Sequence, residues 1–345
     1  MPVHFLLEAL LGLVPVLLFL AGLLYLDSFK LVDFKTVLGV MALGALAALA
    51  SYLASGGVMD ALHIGFPQYS RYAAPFVEEG FKAAVIIWLF SRNRIGFMVD
   101  AAILGVAVGA GFSLFENVYY AYVFPEANVG VWMVRGFGTA IMHGGVAAIF
   151  AVTAQILRER HSETGVLAYL PGFLLAVSLH SIFNQFVAWP LYSAAATIVA
   201  LPLVLLFVFD KSEHEVHNWL VQDYQTHEQL LEAIRSGAFT HSEAARFIQT
   251  LSSKFSPAVV ADIFAYVRLH SELVVRAEKI LLAKEAGTEV PLIHADSESF
   301  VHLHALEGRI GPTAMLTIWP HLKFSHQELF ELHLLEQRAH RIHTG

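Results

Sequence analysis

The sequence predicts an all-α, polytopic membrane protein of about seven transmembrane helices, followed by an α-helical cytoplasmic domain. Three observations predict it. First, the 345 residues are 57% hydrophobic and 14% charged, with mean hydropathy +0.60, too apolar for a soluble domain of this length. Second, residues 1–209 hold nine Lys/Arg and eleven Asp/Glu whereas residues 210–345 hold twelve and eighteen, so a membrane domain (1–209) gives way to a polar one (210–345). Third, seven apolar runs reach the roughly 20 residues that a helix needs to cross a bilayer. With no cysteine, disulfides, thiolate metal sites and a cysteine nucleophile are excluded. The net charge of −8 and the lack of a Lys/Arg stripe exclude nucleic-acid binding.

The runs fall at about 5–26, 36–56, 73–91, 97–124, 132–157, 166–189 and 190–209. The first lacks a basic leader and is too long for a signal peptide, so it is expected to remain in the mature chain. Lys30, Lys35, Arg71, Arg92, Arg94, Arg158 and Arg160 set the direction. The first, third and fifth loops each carry two basic residues, the second carries Arg71 alone, and the fourth and sixth carry none. The odd loops are therefore cytoplasmic, the amino terminus outside and the tail inside. Arg135, near the outer end of the fifth run, is expected to snorkel to the interface. Pro15, Pro171 and Pro202 lie within runs as expected kinks, and Gly105, Gly109 and Gly111 permit close helix approach.

Charged or imidazole groups inside a span cost several kcal/mol unless paired or facing a wet cavity. Few are present: Glu78, Glu79 and Lys82 in the third run, Glu116 and Asn117 in the fourth, His143 in the fifth, His180 and Asn184 in the sixth. At about 1.5 Å per residue, Glu79, Glu116, His143 and His180 fall roughly 9 to 17 Å below the outer surface, in one layer. Singly, each has an ordinary reading: an interfacial charge cluster, a packing histidine, an interhelical amide. The shared depth makes the layer a candidate site. Glu8 and Asp100, outside it, are expected at the interfaces.

EEGFK at 78–82, GFSLFEN at 111–117, the lone His143 and HSIFN at 180–184 follow one another on successive membrane helices. In this order they resemble the PrsW family of intramembrane proteases, relatives of the CAAX prenyl-proteases, over roughly residues 35–190. Lys82 stands where the CAAX enzymes carry an arginine one position later, and Glu116 where their second motif ends in histidine, which favours the PrsW branch. The resemblance implies a multi-pass protease of the bacterial cytoplasmic membrane that clips single-span or membrane-anchored regulators such as anti-sigma factors in stress signalling.

Peptide hydrolysis needs a base to activate water and a group to stabilise the oxyanion. By resemblance Glu78 or Glu79 is the base, and Lys82 neutralises the pair or holds it ionised. His180 and Asn184, four residues apart on one face, suit an oxyanion hole. Glu116, with Asn117 beside it, and His143 position the water or protonate the leaving amine. In a second version Glu116, His143 and His180 bind one zinc ion, a two-histidine, one-carboxylate set, leaving Glu78 or Glu79 as base. The competing class is a proton-coupled transporter or channel, which also uses buried Glu and His; against it stand a single layer and no inverted repeat. A scaffolding protein would need no such layer.

In the tail, Ser236-Gly237 ends one helix, Thr240 with Glu243 forms a capping box, Ser256-Pro257 opens a long helix that Gly287 ends, and Ser325 with Glu328 forms another box. Thirteen of the eighteen histidines lie here without a fixed ligand spacing. Dimerisation or regulation is the expected use.

Overall fold

A computed structural model describes residues 3–27, 32–124, 127–160, 165–185, 189–236, 250–251, 255–288, 290–312, 314–315 and 325–343. These residues form helices and connections without a strand. They divide into two compact units, Met1–Glu213 and His214–Gly345.

The first unit contains α1 (Val3–Leu26), α2 (Phe34–Leu62), α3 (Ala74–Ser91), α4 (Met98–Val123), α5 (Ala140–Arg160), α6 (Leu170–Gln185) and the first part of α7 (Pro190–Ser236). Asp33 starts α2 by accepting the Thr36 N–H at 2.8 Å, and His63, at φ 52°, ends it. Pro75 lies in the first turn of α3, and Pro171 opens α6 instead of kinking it, since an N-terminal proline forfeits no helical hydrogen bond. Pro15 and Pro202 do lie inside their helices. Asp100 is fully buried in the protein, and its Oδ2 accepts the Gly96 and Phe97 N–H groups at 3.1 and 2.9 Å, capping α4.

Among the described residues five segments are long and apolar enough to cross a membrane: Phe34–Leu62, Met98–Val123, Val129–Glu159, Gly165–Gln185 and Pro190–Ser212. The apolar stretch of α1, Leu10–Tyr25, is shorter, and the eighteen residues of α3 include Glu78, Glu79 and Lys82. Helix α4 is the hub, packing most extensively on α5 and α2. It can be approached so closely because it carries glycines where neighbours cross. A Cβ at Gly109 would overlap the His143 carbonyl of α5, and one at Gly111 would overlap the Met41 carbonyl of α2.

In the second unit, α8 (Pro257–Glu285) is capped by Ser256, and Gly287, at φ 70°, follows its end. Helix α9 spans His294–Ile310, and α10 (His326–His343) begins where Ser325 Oγ accepts the Glu328 N–H at 3.0 Å. Ile263, Tyr266, Val274, Leu303, Leu306 and Leu335 are among the residues that form its core. The Thr240–Glu243 box lies outside the described residues, as does Gly237.

Candidate active site

Consecutive residues on a helix point about 100° apart, so Glu78 and Glu79 cannot share a face. Glu79 turns into the helix interface, 2% exposed, and Glu78 turns toward a cavity. The approach to α3 is a π-helical turn, Tyr69–Ala73, and the approach to α5 is another, Val134–Thr139. Such turns re-aim side chains and are common at functional sites. These two place Tyr69, Ser70, Val134, Arg135 and Thr139 on the cavity wall.

Behind the wall lies a buried ionic cluster. Glu79 Oε1 accepts from Lys82 Nζ at 2.6 Å and from His180 Nδ1 at 2.7 Å. Lys82 Nζ also meets His143 Nδ1 at 2.8 Å and sits 4.6 Å from the centre of the Phe112 ring. The Lys82 charge is thus buried together with its counter-charge, the condition under which an ion survives in an apolar interior. By accepting the proton on His180 Nδ1, Glu79 fixes the tautomer that turns the Nε2 lone pair outward.

On the other side of His143, Nε2 lies 3.2 Å from Glu116 Oε2. Glu116 is paired with Arg135 Nη2 at 3.2 Å. Arg135 therefore does not snorkel. Its Nε donates to Asn117 Oδ1 at 2.8 Å, its guanidinium stacks 3.7 Å from the Tyr120 ring centre, and Asn117 Nδ2 donates to the Gly12 carbonyl of α1 at 2.7 Å. A guanidinium that meets a carboxylate, an amide oxygen and an aromatic face together is held more strongly there than at an interface it would reach alone. Asn184 lines the cavity, but its Nδ2 donates to the Ser70 carbonyl at 2.9 Å and so ties α6 to the first π-turn.

The cavity has a volume of about 530 Å³ and is lined by Glu78, Glu116, His143 and His180 together with Tyr69 and Arg135. The ligand-capable atoms of Glu78, His143 and His180 all lie within 4.8 Å of one another. Glu78 Oε2 is 4.0 Å from His143 Nε2 and 3.8 Å from His180 Nε2, beyond hydrogen-bonding reach, and has no hydrogen-bond partner although buried. A buried carboxylate oxygen left without a partner is costly, and a cation between it and two imidazole nitrogens would remove that cost. The donor types fit a metal ion, but Lys82 Nζ donates to His143 Nδ1, so His143 could offer its Nε2 lone pair to an ion only with that contact broken and the proton moved to Nδ1. Glu78 takes the place in this set that the sequence reading gave to Glu116. Among the described residues no other group of three His, Asp or Glu side chains is so arranged.

Sequence reasoning did not single out Arg135 or Tyr69 as site residues. A lone arginine within an apolar run was the available signal for the first; Tyr69, outside any run, offered none.

Neither a curated protein nor a solved structure matches the chain. Residues 33–209, about half of its length and every one of the site residues above, match the sequence model of the PrsW family intramembrane metalloprotease. A Glu, His, His cavity whose two histidines lie on helices apolar enough to cross a bilayer agrees with that match, and the chain belongs to the PrsW family of intramembrane proteases.

Proposed function

We propose that the chain hydrolyses a peptide bond of a single-span or membrane-anchored regulatory protein, in the outer half of the bilayer, with Glu78, His143 and His180 at the reacting centre. The observation that carries the proposal is the partnerless Glu78 Oε2 facing the two Nε2 atoms inside the cavity. One zinc ion held by these three residues would supply Lewis-acid polarisation of the scissile carbonyl and ease the ionisation of water.

The chain's own groups then have separable tasks. Glu79 orients His180, and Lys82 neutralises Glu79 and faces His143 Nδ1. Glu79 does not line the cavity and is engaged twice, which supports Glu78 over Glu79 at the reacting centre. Glu116, 22% exposed and on the cavity wall, is placed to accept the proton from water and return it to the leaving amine. Arg135 holds Glu116 in position and offers a fixed positive charge as the oxyanion develops. Asn184 keeps the Ser70 turn in place.

In this reading α1 and α3 also cross the membrane, giving seven spans. The basic loop residues put the amino terminus outside and the tail in the bacterial cytoplasm, where it serves dimerisation or regulation. Anti-sigma factors are the substrate type the family suggests. The transporter reading has no support from the family match.

The test is co-expression of a tagged single-span substrate with the wild type and with Glu78→Gln. Cleavage by the wild type and its loss in the variant are expected; equal cleavage by both overturns the proposal.

A further inference from the structure

Glu78 and Glu116 stand between two cavities. The first is the 530 Å³ cavity of the histidines. The second, about 310 Å³, lies between α2 and α4 and contains neither histidine. Phe66, Tyr69, Glu78, Glu116 and Tyr120 line both. The two voids therefore adjoin at the carboxylates of the reacting centre.

The second cavity is built for a side chain. Ala48 and Ser51 of α2 and Phe112 and Phe115 of α4 line it, and Tyr52 and Tyr119 add rings whose centres are 4.7 Å apart and whose hydroxyls are 3.3 Å apart. Small residues on one helix leave the space, and aromatic residues on the other give it an apolar lining. No ionic group lines it except the shared Glu78 and Glu116, so an acidic side chain entering it would meet only like charge, and the rest of the lining offers apolar surface.

A membrane-spanning substrate presents its backbone as a helix whose amides are internally bonded, so the scissile bond is reachable only after local unwinding into an extended strand. In an extended strand successive side chains point to opposite sides. With the scissile carbonyl at Glu78, one flanking side chain falls toward the histidine cavity and a neighbour toward the space between α2 and α4. We propose that the α2–α4 cavity is a specificity subsite that takes one large apolar or aromatic side chain adjoining the cleaved bond. The inference rests on the proteolytic reading and adds the substrate preference of that site.

The test uses the full-length protein in lipid vesicles with a single-span substrate whose cleavage point is mapped by mass spectrometry. Each residue within three positions of the cleaved bond is changed in turn to Ala, to Phe and to Trp. One position is expected to favour Phe over Ala by about tenfold or more in kcat/KM, the scale on which apolar pockets discriminate by size. Ser51→Phe, which fills the space, is expected to bring that ratio near one. Phe115→Ala, which enlarges it, is expected to move the preference toward Trp. A wild type that cleaves with no size preference at any position, or a ratio unmoved by both variants, overturns the subsite and leaves the protease standing. Equal background cleavage by wild type and Glu78→Gln overturns the parent reading instead.

Discussion

The two units differ in how they gather their histidines. The tail holds thirteen of the eighteen histidines; among its described members His304 pairs at the surface with Glu307 and Glu336 at 3.0 and 2.8 Å, whereas His270 is buried beside Tyr266. Among the described residues the membrane unit buries two histidines, and both reach one cavity. A surface histidine costs little to keep and so carries little information. A buried one in a bilayer is retained against its desolvation, and its position reports a task. Number of candidate ligands is thus a poor guide to a site; the cost of holding them is a better one.

The sharpest way to break this contrast is to remove the expensive groups. Glu78→Gln, His143→Ala and His180→Ala are each expected to lower cleavage of a single-span substrate by about 10²–10⁴-fold. The double change His302→Ala with His304→Ala in the tail is expected to leave it unaltered. Elemental measurement on purified protein extends the contrast to metal. Zinc near one ion per chain is expected in the wild type and the tail variant and a clear loss in His180→Ala. Chelation is expected to stop cleavage and added zinc to restore it; a metal-free preparation of full activity would count against the metal set. A smaller effect is expected of Glu79→Gln, which keeps the cavity but loosens His180, and about 10–100-fold in activity or metal affinity is the scale for such an orienting partner.

The smallest effects belong to the tail and have opposite signs. Burial, and after it the neighbouring His227, push the His270 imidazole of α8 down to about 3. The unfolded chain therefore binds a proton that the folded one refuses, and this contribution to stability is present above an unfolded pKa of about 6.5 and is lost as pH falls below it. His304 is pushed up by its hydrogen bonds to Glu336 and Glu307, so its contribution is present at low pH and is lost as pH rises through its folded value. Being partly exposed, the His304 pairs contribute little. Hydrogen exchange of α8 to α10 in the full chain checks both: His270→Leu is expected to flatten the acid-side loss of protection, and His304→Ala to remove only the weaker alkaline-side loss.

Much of the site is legible in the sequence because a bilayer makes polar residues conspicuous. Glu116, His143 and His180 stand out against apolar neighbours, and counting residues from the span ends puts them at one depth. Direction around a helix is harder to read. That Glu79 enters the ion pair while Glu78 faces the cavity depends on how α3 is rotated against α4, α5 and α6, and adjacent residues give no hint of it. The partners of Arg135 and Asn184 are hidden for a related reason: each meets a group distant in sequence, Glu116 for the first and the Ser70 carbonyl for the second.

By itself the sequence determined the helical class, the change of composition near residue 210, the apolar runs and the set of costly polar groups, since these follow from local hydropathy and capping chemistry. Tertiary structure alone decided which carboxylate meets the two imidazoles, which cation holds Glu116, and that a second cavity adjoins the first. Those are matters of helix rotation and close approach, fixed at contacts such as Gly109 on His143 and Gly111 on Met41, where the absence of a side chain lets α4 settle against its neighbours.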